Sequence, residues 1–115
     1  MNSELTILYV DDSIVKLKAT AERWKELGSI TMETSISRAE PYIPINDVVI
    51  TDWQMPDGGG LMMVLKCMEH KKPCFIHTDS PDKVPAEVVQ FAPLINTKAD
   101  VDQIRKMIEI AIQIG

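Results

Sequence analysis

Short apolar runs alternate with segments of helical periodicity along the whole chain. "LTILYV" (residues 5–10) is apolar and partly β-branched, and long enough for a buried strand. Ser13 can cap a helix whose apolar stripe is Ile14, Leu17, Ala21, Trp24 and Leu27, with Gly28 as the expected stop. "SITMET" predicts a second strand, and Pro41 and Pro44 leave room after it for little more than one or two helical turns. "DVVIT" predicts a third strand, and "GGLMMVLKCMEH" a third helix that ends before Pro73. "CFIHT" follows as a fourth strand, and Pro81 and Pro85 restrict the next helix to a short piece. "PLINT" supplies a fifth strand, and "ADVDQIRKMIEIAIQIG" closes the chain as a helix.

Strand and helix thus alternate five times. Continuously apolar strands joined by helices predict an α/β fold: a five-stranded parallel sheet, doubly wound, with shortened second and fourth helices. Crossovers in such sheets are right-handed, and ligands sit beyond the carboxyl ends of the strands. The chemistry is therefore to be sought at those ends.

Composition narrows the classes. At 115 residues the chain is expected to be one domain over 1–115, with no effector domain after the last helix. Twelve basic residues against 17 acidic ones leave a charge of −5, which argues against nucleic acid or an anionic membrane as partner. The longest unbroken apolar run, "LMMVL", is far short of a membrane span, and "MNSELTILYVDD" lacks the pattern of a signal peptide. Cys67 and Cys74 fit no metal spacing, so reduced core thiols in a cytoplasmic protein are expected.

The predicted strand ends carry Asp11 and Asp12 (first strand), Asp52 (third), Thr78 (fourth) and Lys98 (fifth). Carboxylates gathered within ~4 Å repel by ~4 kcal/mol per pair at an effective dielectric near 20, so the cluster needs a cation or a raised pKa. Hard oxygen ligands without nearby His or Cys favour Mg²⁺. A metal beside a carboxylate, a hydroxyl and a lysine is equipment for accepting a phosphoryl group, with Asp52 as the nucleophile.

"ILYVDDS", "TDWQMPDGGGL", "FIHT" and "TKAD" together resemble the receiver domain of two-component response regulators over the whole chain. The resemblance implies a flavodoxin-like, CheY-like fold, with Asp52 as phosphoacceptor and Thr78 and Lys98 on the phosphoryl oxygens. It also implies Asp12 and Asp52 as direct Mg²⁺ ligands, Asp11 acting largely through water, and the Gln54 carbonyl completing the protein's share. The implied partners are a histidine kinase or histidine phosphotransfer protein and a downstream protein. On this reading the chain is not an enzyme beyond its own aspartyl phosphorylation and dephosphorylation.

Three positions depart from the family pattern. Ala99 stands where Pro normally follows the lysine with a cis peptide; a non-proline cis bond costs ~2.5–4 kcal/mol, so a trans bond is expected. Asp79 stands where a small residue normally leaves room for the phosphoryl group. Ile95 stands at the family's aromatic switch and has no ring to swing. These motivate a second reading, a degenerate receiver that docks partners without phosphorylation.

An aspartyl-phosphate phosphatase or mutase is disfavoured because Asp52-Trp-Gln lacks the second acid of D-x-D, and dinucleotide binding because "VDDSIV" lacks a glycine-rich turn. His77 is expected to face away from Thr78 as a satisfied structural histidine. Trp53 is expected beside or over the acids, and Met55, Met62, Met63 and Met68 as core filler. The wide apolar arc of the last helix (Ile104, Met107, Ile108, Ile110, Ala111, Ile112, Ile114) reads either as fraying plus deep burial at the chain end or as a surface for self-association or a partner.

Overall fold

The computed structural model describes residues 4–56 and 58–114, without the side chain of Ile114. Five strands, β1 (Thr6–Val10), β2 (Ser29–Glu33), β3 (Val48–Thr51), β4 (Cys74–Thr78) and β5 (Leu94–Asn96), form one parallel sheet in the order β2-β1-β3-β4-β5. The helices are α1 (Ile14–Arg23), α2 (Ile36–Ala39), α3 (Gly59–Glu69), α4 (Ala86–Val89) and α5 (Val101–Ile114). The order reverses at β1, so the crevice between the ends of β1 and β3 is the switch point where such sheets bind ligands. No helix among the described residues is long and apolar enough to cross a membrane.

Alternation along the strands splits the core into two layers. Leu8, Val10, Val49 and Ile76 pack with Ile36 of α2 and Met63, Val64 and Cys67 of α3. Ile7, Tyr9, Val48, Ile50 and Phe75 face Leu17 of α1, Trp24 just beyond it, and Ile104 and Ile108 of α5. Tyr9, Trp24 and His77 form an aromatic cluster inside this second layer, with ring centroids 4.9–5.7 Å apart. Cys67 and Cys74 are buried free thiols of the first layer.

α2 and α4 have four residues each, as the prolines demand. Helix α1 differs from expectation. It ends at Arg23, because Trp24 leaves the helical region (φ −97°, ψ 6°) and its carbonyl closes a turn to Leu27 N–H. Thr20 takes a buried place on the helix, whereas Ile14 is exposed. Met55 and Met63 fill the core, but Met62 and Met68 face solvent because α3 is apolar on more sides than the sheet can cover. On α5, Ile104 and Ile108 are buried and Ile110 and Ile112 exposed; the Ile114 side chain lies outside the described residues.

Candidate functional site

β1 and β3 end side by side, with Asp52 N–H donating to the Val10 carbonyl at 2.8 Å. That register brings oxygens of Asp11, Asp12 and Asp52 to within 4.8 Å of one another. The acids are in unequal settings. Asp11 is buried: its Oδ1 accepts from Ser13 N–H (2.9 Å), and its Oδ2 accepts from the Tyr9 hydroxyl (3.3 Å) and pairs with Lys16 Nζ (3.4 Å). Asp12 is exposed. Asp52 is half-buried, and its Oδ1 accepts from Trp53 N–H at 2.8 Å, which leaves Oδ2 open to the crevice. Burial, then the charge of Asp11, raises the Asp52 carboxyl above the usual carboxylate range, while Lys16 and the Trp53 N–H act the other way. An all-oxygen carboxylate set with this strain fits a hard divalent cation such as Mg²⁺.

The loop after Asp52 is shaped by its glycines. Gly58 and Gly59 take positive φ (+111° and +70°), and Gly60 N–H donates to the Trp53 carbonyl. A Cβ on Gly60 would lie 2.8 Å from both the Asp52 carbonyl oxygen and the Trp53 Cα, so only glycine lets α3 start against the acid-bearing loop. The run from strand to aspartate to glycines thus keeps the start of α3 packed against the residues at the end of β3.

Beside Asp52 lies a cavity of about 100 Å³, lined in part by Gln54, Thr78, Asp79 and Lys16. This is space for about three waters at ~30 Å³ each. Thr78 is buried, and its Oγ1 accepts from Ser80 N–H at 2.9 Å, leaving the hydroxyl proton to donate. Asp79 is exposed and accepts from the Ser80 hydroxyl at 3.2 Å. Lys16 carries a raised pKa: burial lowers it, but the charges of Asp11 and Asp52 outweigh burial.

Solved structures place this architecture. A response regulator receiver domain protein from Clostridium thermocellum is similar at TM-score 0.75 and 20% identity, covering 95% of this chain and 94% of its own. CheY-like receiver domains from Methanospirillum hungatei JF-1 and Methylobacillus flagellatus give TM-scores of 0.78 and 0.77, each at 16% identity. They cover 98% and 95% of this chain, and 100% and 99% of their own. The chain has the receiver fold. No protein-family model and no curated protein matches its sequence.

Within the receiver fold, the structure gathers Asp11, Asp12 and Asp52, and sets Thr78 and Gln54 on the same cavity as Asp52. Lys98 is exposed on the turn after β5, where its N–H donates to Asn96 Oδ1 at 2.7 Å, and it is not among the residues that line that cavity. The Lys98–Ala99 bond is trans, since no cis peptide occurs among the described residues. Ile95 is buried in the α1/α5 layer. Trp53 lines the cavity and packs on the opposite core layer.

Two features went unread in the sequence. One is Lys16, whose signal was its spacing: four residues past Asp12, in the first turn of α1, it can reach back over the strand ends. The other is the bond between His77 Nδ1 and the Tyr9 hydroxyl (3.0 Å). Because a carboxylate only accepts, the Tyr9 proton goes to Asp11, and His77 carries its proton on Nδ1 and donates it to the Tyr9 oxygen. Among the described residues His77 Nε2 is buried without a hydrogen-bond partner, so there this histidine is satisfied at one nitrogen only. Burial, helped by Arg23 and Lys16, lowers its pKa to about 4 and keeps it neutral.

Proposed function

We propose that the chain is a phosphoacceptor signalling domain of a two-component or phosphorelay system. It takes a phosphoryl group from a histidine kinase or histidine phosphotransfer protein onto Asp52. The observation that carries this reading is the Asp11–Asp12–Asp52 cluster at the switch point of a receiver fold, with Thr78 across the adjoining cavity.

The step is a substitution at phosphorus. Asp52 Oδ2 forms an O–P bond as the P–N bond of the donor phosphohistidine breaks; the electron pair leaves on the imidazole nitrogen, which takes up a proton from water. Trp53 N–H fixes the carboxylate through Oδ1, and the Thr78 hydroxyl donates to a phosphoryl oxygen. Asp12, Asp52 and the Gln54 carbonyl would hold Mg²⁺ directly and Asp11 through water, and the ion would neutralise charge on the phosphoryl oxygens. The partners of Asp11 support this division: both its oxygens are already engaged, whereas Asp12 is exposed. Beyond its own phosphorylation and dephosphorylation the chain catalyses nothing on this reading, and it works in the cytoplasm where such kinases deliver their phosphoryl groups. A downstream protein, or a second copy, would meet the exposed Ile110 and Ile112 of α5.

Incubation with acetyl phosphate and Mg²⁺ should give one labile phosphoryl adduct by intact mass, abolished in Asp52→Asn. The second reading is a docking module that works without phosphorylation. Asp79 at the cavity and Lys98 outside it favour that reading. It predicts no adduct and no change of Trp fluorescence with beryllium fluoride.

A further inference from the structure

The phosphoryl oxygens of an acyl phosphate on Asp52 need a fixed positive charge, and Lys98 does not line the cavity into which they would project. We infer that Lys16, from the first turn of α1, supplies that charge in place of Lys98. The inference rests on the phosphoacceptor reading given above and assigns one of its binding residues.

Lys16 lines the cavity together with Asp52 and Thr78, the two groups that would flank a phosphoryl group. Its backbone is held by the N-cap, the Ser13 hydroxyl accepting from Lys16 N–H at 3.2 Å. Side chains of a helix's first turn lean toward its N-terminus, here toward the carboxyl edge of the sheet. A lysine there opposes the helix dipole, so its position is unfavourable unless acids compensate it. Asp11 does so, at 3.4 Å, while the Lys16 side chain stays 49% exposed and able to shift. Among the charges that act most strongly on the Asp52 carboxyl, Lys16 is a cation that lowers its pKa against the push of Asp11 and Asp12.

Lys83 is the competitor. It lines the same cavity, but it is exposed on the turn at Pro81–Lys83 and pairs with none of the acids among the described residues. Asp11, Asp12, Asp52 and Asp79 surround the crevice, so a divalent ion alone leaves the phosphorylated site strongly negative. A resident ammonium reduces that excess.

The test uses the full chain and its Lys16→Met, Lys16→Arg, Lys98→Met and Lys83→Met variants. Each is treated with acetyl phosphate and Mg²⁺: the Asp52 O–P bond forms as the P–O bond to acetate breaks, and acetate leaves with the electron pair. Adduct is followed by intact mass, beryllium fluoride affinity by Trp fluorescence, and Mg²⁺ affinity by calorimetry, on samples whose circular dichroism matches wild type.

Lys16→Met is expected to lose about tenfold or more in both adduct formation and beryllium fluoride affinity, with Mg²⁺ affinity equal or tighter. Lys16→Arg should recover most of the loss, and the Lys98 and Lys83 variants should stay within about twofold of wild type. A loss in Lys98→Met or Lys83→Met that Lys16→Met does not share overturns the assignment. So does a parallel loss of Mg²⁺ affinity in Lys16→Met, which would place Lys16 in the acid cluster rather than on the phosphoryl group. A wild-type chain that takes up neither phosphoryl group nor beryllium fluoride, before any variant is made, instead overturns the phosphoacceptor reading and this inference with it.

Discussion

The β1/β3 end of the sheet edge and the β4/β5 end are built to different standards. At β1/β3, Asp11 and Asp52 are the first residues past their strands and Asp12 the second, two backbone N–H groups and a tyrosine aim the carboxylates of Asp11 and Asp52, and glycines bring α3 up against the loop. At β4/β5, Thr78 is placed, but α4 is a single turn without a side-chain cap, Lys98 is exposed and Ile95 is fixed in the core. The acid half is thus preorganised, whereas the β4/β5 half offers an exposed lysine, a one-turn helix and a buried aliphatic side chain. Two ends of one sheet edge are therefore held by different means.

The halves are joined beneath the edge by Tyr9 and His77, and breaking that joint should produce the largest effect. His77 is neutral in the fold, with a pKa lowered from 6.5 to about 4 by burial, then by Arg23 and Lys16, while Asp11 and Asp79 push the other way. Below pH 6.5 the unfolded chain binds a proton that the folded chain refuses. Stability present above pH 6.5 is therefore lost as pH falls toward 4, by roughly 3 kcal/mol at ~1.4 kcal/mol per unit. Urea melts across pH 4–7 should show this slope in wild type, and His77→Leu should flatten it. An unchanged slope would separate the two halves energetically.

The acid half should also reveal its strain in the absence of a divalent ion. The Asp52 carboxyl is raised above its ordinary value by burial and then by Asp11, so the folded state disfavours its ionised form. That penalty is complete above the folded pKa and vanishes as pH falls below the ordinary carboxylate value. Asp52→Asn should therefore stabilise the chain at pH 7 in EDTA by about 1 kcal/mol, the size of one like-charge contact near 4 Å in water. The gain should vanish in acid, and saturating Mg²⁺ should raise the melting temperature of wild type more than that of the variant.

What the sequence made legible follows the same division. The strands, the acids, Asp52 and the glycine loop were readable because each depends on local pattern: apolar runs, chain reversal and a strand end. Lys16 was not, because a lysine in the first turn of a helix is commonplace, and only the crossover from β1 through α1 sets it over Asp52. The rotation of α1 was likewise hidden: burial of Leu17 and Trp24 decides it, which exposes Ile14 and buries Thr20 against hydropathy. The Tyr9–His77 bond joins residues 68 apart in sequence from strands that are not neighbours in the sheet, so no local signal announces it.

The smallest expected effect tests whether the weaker half still tunes the chemistry. Asp79 lies on the cavity that Asp52 and Thr78 share, but it is exposed and its charge faces water. Its Oδ1 accepts from the Ser80 hydroxyl at 3.2 Å. A charge in that setting repels an incoming phosphoryl group through high dielectric and is further screened by salt. Asp79→Ala should therefore raise the initial rate of adduct formation by about two- to fivefold at low ionic strength, with the gain shrinking toward unity at ~0.5 M salt. An increase that survives high salt would mean that Asp79 blocks the cavity by its bulk; no increase would mean that the β4/β5 end is decoupled from Asp52.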